Sequence, residues 1–227
     1  MIPLKDDVPV QTAPVLTIGL IAANVIAFLW QLDVGLERSV FVAGAIPYEI
    51  LTFRDVGPPD LVPPPLTVLT SMFLHGGLAH IGGNMLFLWI FGNNVEDALG
   101  RARFLVFYLV CGVAAAASQV AASAMTGEVA VPMVGASGAI AGVLAAYLTL
   151  YPHARVLTLV PIFIFIRLFY IPAWFFIGLW FAIQLLSGFL GGGGSGVAFF
   201  AHIGGFVTGF GLVRLMGRRR RWRRYVQ

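Results

Sequence analysis

The chain has 227 residues, 59% hydrophobic and 11% charged, with a mean hydropathy of +0.90. Soluble domains are about 25% charged, so this composition excludes an ordinary soluble globule and predicts a polytopic membrane protein, one compact helical bundle without room for a sizeable soluble domain. A single cysteine, Cys111, excludes an intramolecular disulfide, and the net charge of +4 is concentrated in the C-terminal tail.

Met1 to Ala13 is polar and short and reads as a cytoplasmic N-terminus. It has no basic run before a cleavage site, so the apolar stretch from Pro14 to Leu32 reads as a retained first helix, near the ~20 residues that a span needs. Asp33 to Ala79 is long and proline-rich, with Pro47, Pro58, Pro59 and Pro63-Pro64-Pro65. Its apolar pieces, Val40 to Ile46 and Leu66 to Leu74, are too short to span and read as amphipathic segments at the interface or partly embedded. A loop of this length in a compact bundle is usually functional.

A second helix is expected from Ala79 to Val95, ending in Asn93-Asn94-Val95-Glu96-Asp97, and a third from Phe104 to Met125. The fourth runs from Ser137 to Tyr151. At about 15 residues it is short for a span, so its start should lie below the membrane surface, in a cavity that tolerates non-helical backbone. Val156 to Phe169 is apolar but interrupted by Pro161 and Arg167. The fifth helix is expected from Ile171 to Leu190 and the sixth from Val197 to Met216. Gly191 to Gly196 between them reads as a flexible connector. Residues 14–216 thus form a six-helix unit, and 217–227, with Arg218 to Arg221, Arg223 and Arg224, a basic cytoplasmic tail.

The positive charges set the orientation. The tail, Arg101 with Arg103, and His153 with Arg155 should face the cytoplasm, and six spans place all three on one side. Ser137, His80 and His202 then lie toward the outer side. The tail reads as a topology anchor for anionic lipid and not as a nucleic-acid site, since no nucleic-acid-binding fold accompanies it.

Ionisable residues within spans default to function, and here they are few: His80 and His202, joined by the amide of Asn84 and the hydroxyl of Ser137. An aspartyl protease needs two carboxylates within spans, which are absent. A zinc protease of the H-E-x-x-H type needs histidines at i and i+4 around a glutamate, whereas His75 and His80 are five apart with no acid between them. A proton or cation carrier usually shows buried carboxylates or basic chains.

A serine and a histidine are left. Gly135-Ala136-Ser137-Gly138 has two readings: close helix packing with a cap, or a nucleophile at a helix N-terminus whose free N–H groups stabilise an oxyanion. An imidazole has a suitable pKa to act as base for a serine. Gly138, Gly142 and Ala145 put small residues on one side of helix four, and His202, Gly205 and Gly209 share a face of helix six. Such faces permit the close approach that a Ser137–His202 contact requires, or serve packing alone. His80 and Asn84, at i and i+4, are either oxyanion donors or interhelical polar glue.

Taken together, His75, His80-Ile81-Gly82-Gly83-Asn84, Gly135-Ala136-Ser137-Gly138 and Ala201-His202-Ile203-Gly204-Gly205 resemble, in order and in helix placement, the rhomboid intramembrane serine proteases. The resemblance covers nearly the whole chain. It implies a compact six-transmembrane-helix bundle that cuts membrane-anchored proteins in or near their transmembrane segments. Ser137 would be the nucleophile and His202 the base, with His80, Asn84 and the Ser137 backbone N–H forming the oxyanion hole. Neither metal nor cofactor is implied; the partners would be transmembrane substrates and membrane lipid, not nucleic acid. The fifth helix and the loop after it would form a movable cover. Leu66-Thr67 stands where many relatives carry Trp-Arg, and Ala141 where some carry a tyrosine that stacks on the base histidine, so another group or tight packing must orient His202. The alternatives are a non-catalytic rhomboid-like protein that binds transmembrane segments, and a small transporter, which the missing carboxylates disfavour. The economical layout suggests a bacterial plasma membrane, with the site opening to the outer side.

Overall fold

The computed structural model describes residues 1–162, 165–190 and 198–217. The Gly191–Gly196 connector and the arginine-rich tail lie outside these residues. In chain order the elements are β1 (Ile2–Asp6), α1 (Val15–Val34), α2 (Leu36–Ala43), α3 (Pro47–Thr52), α4 (Pro64–Thr70), a 3-10 turn (Ser71–Phe73), α5 (Leu78–Phe87), a π-helical turn (Leu88–Gly92) and α6 (Asn93–Leu99). Then follow α7 (Arg101–Thr126), α8 (Ser137–Leu150), β2 (Arg155–Ile162), β3 (Phe165–Pro172), α9 (Ala173–Phe189) and α10 (Phe199–Met216).

Among the described residues, α1, α7 and α10 are long and apolar enough to cross a membrane, while α8 and α9 are apolar but shorter. The chain is therefore a mostly helical, multi-pass membrane protein, and three is the number of spans that length and composition alone support. The second expected helix is α5 and α6 joined through the π turn, with right-handed helical backbone at both junctions. The widened turn was not legible in the sequence; such turns occur mostly as single insertions, often near functional sites.

Buried carboxylates fasten α1 to this helix. Glu96 accepts from the backbone N–H groups of Leu16 and Thr17 and from the Thr17 hydroxyl, at 3.0, 2.7 and 2.8 Å. Asp97 accepts from the Gln11 N–H and the Thr12 hydroxyl. The first-turn amides of α1 have no intrahelical acceptor, and a negative charge suits that end of a helix. Further along α1, the Gln31 amide bonds both backbone groups of His75, accepting at 2.8 Å and donating at 3.2 Å. This pins the segment that leads into α5.

The first loop is folded against the bundle. Its helices α3 and α4 begin at Pro47 and Pro64, where the missing proline N–H is no loss. Ala45 and Met133 exchange backbone hydrogen bonds at 3.1 and 2.9 Å, and Tyr48 N–H donates to Val129 at 2.8 Å. The loop thus braces the segment that precedes Ser137.

Residues 155–162 and 165–172 form the antiparallel pair β2–β3, to which β1 adds in the order β1-β2-β3; up to residue 170 the sequence reading had no element here, and the helix expected from Ile171 begins at Ala173 as α9. The polar N-terminus is therefore structured. Asp6 at the end of β1 accepts from the Tyr147 hydroxyl and from the side-chain amide of Asn94, joining the sheet to α8 and α6.

Candidate active site

The site is built at the first turn of α8, against α10. Gly138 lies against Ala115 of α7, and Gly142 against Cys111; a Cβ at either glycine would stand 2.5 Å from Ala115 Cβ or Cys111 Sγ. On α10, Gly205 faces the Gly138 carbonyl and Gly209 faces Gly142, each too close for any side chain. The small-residue faces expected on helices four and six do meet, and helix backbones approach this closely only across glycine.

At that approach Ser137, the first residue of α8, reaches His202. Ser137 Oγ lies 2.8 Å from His202 Nε2. The other ring nitrogen, Nδ1, lies 2.7 Å from Gln184 Oε1 on α9. The Trp180 ring, one turn earlier on α9, stands 5.7 Å from the His202 ring. A serine hydroxyl can donate to Nε2 only when the proton sits on Nδ1, and Gln184 Oε1 is an acceptor for that proton. Gln184 and Trp180 stand against His202 where Ala141 supplies no aromatic ring. The sequence reading passed over both. Gln184 was marked only by being a polar amide in an otherwise apolar helix.

His80 stands across from the serine. Its Nδ1 accepts from the Gly76 backbone N–H at 3.2 Å, which leaves the proton on Nε2. That edge lies so near Gly135 that a Cβ there would be 2.9 Å from His80 Cε1 and Nε2. Gly135 also has φ +128°, a conformation that L side chains disfavour, and its N–H donates to the Ser71 carbonyl at 2.9 Å. Glycine is required at 135 on both counts. Asn84 is buried, and its side-chain Nδ2 has no hydrogen-bond partner among the described residues. His75 is fully buried behind His80, its ring edge-on at 5.1 Å.

Ser137, His202, His80 and Asn84 line one cavity of about 670 Å³, walled also by Phe87, Met133, Trp180 and Phe200. Every residue expected at the site from the sequence is thus brought to one place, with His75 as a backing group. Chemically, the arrangement offers a hydroxyl hydrogen-bonded to an imidazole, and two side-chain donors on the facing helix.

A family model described as Rhomboid domain matches residues 65–219. The chain belongs to the rhomboid family. The presenilin-associated rhomboid-like protein, mitochondrial, of Homo sapiens is 34% identical over 149 residues, 65% of this chain and 36% of that protein. Rhomboid protein 1, mitochondrial, of Saccharomyces cerevisiae is 35% identical over 106 residues, 44% of this chain and 30% of its own length. Rhomboid protease GluP of Bacillus subtilis is 41% identical over 81 residues, 36% of this chain and 15% of that protein. The chain thus spans about a third or less of the length of these rhomboids. Two of the three are mitochondrial by name, so the bacterial plasma membrane expected from the layout finds no support in them.

Proposed function

We propose that this rhomboid is an intramembrane serine endopeptidase that cleaves single-span membrane proteins within or near their transmembrane segments. The observation that carries the reading is the 2.8 Å contact between Ser137 Oγ and His202 Nε2 in a cavity that also receives His80 and Asn84. GluP, named a rhomboid protease, adds support from a relative.

In this reading Ser137 Oγ attacks the scissile carbonyl as its proton passes to His202 Nε2. The oxyanion that forms is met by His80 Nε2–H, the Asn84 amide and the Ser137 backbone N–H. The C–N bond then breaks, and His202 returns the proton to the leaving amine. Water repeats the sequence on the acyl-enzyme. Donors held in place before the charge develops lower the barrier without reorganisation, each worth about 2.7–4 kcal/mol. A substrate helix must unwind locally, because an intact helix hides its peptide bonds.

The bundle in this proposal has six spans: α1, the helix from α5 to α6, α7, α8, α9 and α10. Arg101, Arg103 and Arg155 then face the cytoplasm and the site opens to the opposite side. Residues 14–216 are the protease unit between a short N-terminal segment and the basic tail.

The test is cleavage of a single-span reporter by the purified protein in liposomes. Wild type cuts, whereas Ser137→Ala and His202→Ala do not. Equal cleavage by Ser137→Ala would sink the serine mechanism. Reporter capture without cleavage by wild type would favour a binding protein of the same fold.

A further inference from the structure

We infer that Gln184 is a positioning residue that makes the serine–histidine pair into a chain of three, by holding His202 in the tautomer that leaves Nε2 free to take the serine proton. The inference rests on the protease reading above and deepens it.

Three observations carry it. Gln184 Oε1 and Ser137 Oγ lie on opposite ring nitrogens of His202, at 2.7 and 2.8 Å. Gln184 and His202 are both buried, so water is a poor substitute for either partner. The amide comes from α9 while serine and histidine come from α8 and α10, and α9 is fixed on α10 by Phe181 stacked on Phe206 at 4.0 Å. An imidazole with no acceptor at Nδ1 can place its proton on Nε2 instead. It would then donate to Ser137 rather than accept from it, and the attack would lack a base. A fixed acceptor on the far nitrogen removes that state. This is the part a carboxylate plays in a catalytic triad, performed here by a neutral amide that adds no buried charge. Trp180, on the same face of α9 as Gln184, limits rotation of the ring.

The geometry also ties the chemistry to the placement of α9. Any displacement of that helix from α10 by more than about 1 Å takes the acceptor out of hydrogen-bond reach.

Two measurements test the inference. The first needs no cleavage: nitrogen NMR of histidine-labelled protein in detergent, with His202 assigned by loss of its signals in His202→Ala. Wild type should show the Nδ1–H form, and Gln184→Leu a mixture or the Nε2–H form. An Nε2–H ring in wild type, or an unchanged ring in Gln184→Leu, overturns the inference. The second is kinetic. Gln184→Leu should lose about 10- to 100-fold in kcat with little change in KM, less than the 10²–10⁴-fold that a whole general base supplies. Gln184→Glu keeps an oxygen at the same reach and should recover most of the loss. Full activity in Gln184→Leu, or no recovery in Gln184→Glu with both variants melting as wild type does, overturns it as well. If the tautomer depends on Gln184 but wild type cuts no reporter, the protease reading fails and the positioning role stands. If wild type cuts and Gln184→Leu cuts equally, only the positioning role fails.

Discussion

Gly205 of α10 rests on the backbone carbonyl of Gly138 in α8, with no room for a β-carbon between them. Gly138 adjoins Ser137, and Gly205 lies one turn beyond His202. The contact that packs the two helices is therefore the contact that sets the Oγ–Nε2 distance of 2.8 Å. Gly205→Ala should force the helices apart. Overpacking of this kind costs about 1–3 kcal/mol, while a misplacement near 1 Å at a reacting pair costs about 10²-fold in rate. The variant is expected to lose activity much more steeply than it loses melting temperature, as measured in one detergent preparation. Gly211, on the same helix with nothing within 4 Å of a β-carbon, is the control that should tolerate alanine.

Asn84 presents a buried amide donor that no described group satisfies. An unpaired buried donor costs about 1–3 kcal/mol. In the proposed mechanism that donor meets the oxyanion, which exists only during the reaction. Asn84→Ala should therefore lower kcat by about 10²–10³-fold with KM little changed, and melt at the same temperature as wild type or above it. A loss of activity that follows a loss of stability would show that Asn84 is packing glue instead.

The pairing of Ser137 with His202 was legible because polar residues are scarce in the apolar stretches and each is costly there. The glycine faces were legible from spacing along two helices. Other features depended on partners far away in sequence. Glu96 and Asp97 looked like residues at a helix end, yet Glu96 accepts from the first turn of α1 and Asp97 from Gln11 and Thr12 just before it, across about 80 positions. The β2–β3 hairpin was hidden because its side chains show no alternation of apolar and polar residues; β3 is exposed along most of its length. Gln184 was hidden because a neutral amide draws less attention than an ionisable group. Only the structure shows it against the far side of the histidine ring.

Glu96 supplies a test of the cap. Its carboxylate receives three hydrogen bonds from the first turn of α1, and Thr17 is fully buried. Glu96→Ala leaves those donors without an acceptor in an apolar surrounding, at an expected cost of about 3 kcal/mol. Glu96→Gln keeps one acceptor oxygen and should fall between. Melting temperatures of the three proteins should rank wild type, Gln, Ala. The Ser137–His202 contact is formed by α8 and α10, so in the proposed protease residual activity in the folded fraction should survive.

Two carboxyls should favour the folded state as the solution is made mildly acidic. Burial lifts the Asp6 carboxyl to about 6 from its ordinary 3.8, against the lowering effect of the Tyr147 hydrogen bond. Burial, with Glu49 and Asp55 nearby, lifts Asp60 to about 6 as well. Each group binds its proton more tightly folded than unfolded. These two groups therefore contribute to the folded state as pH falls from about 7 toward 4, and their contribution is complete below the unfolded value. Asp6→Asn, which can still accept from Tyr147 and Asn94, should raise the melting temperature more at pH 7.5 than at pH 5. A variant with the full wild-type pH dependence would show that Asp6 does not titrate in this range and that the slope arises elsewhere in the chain.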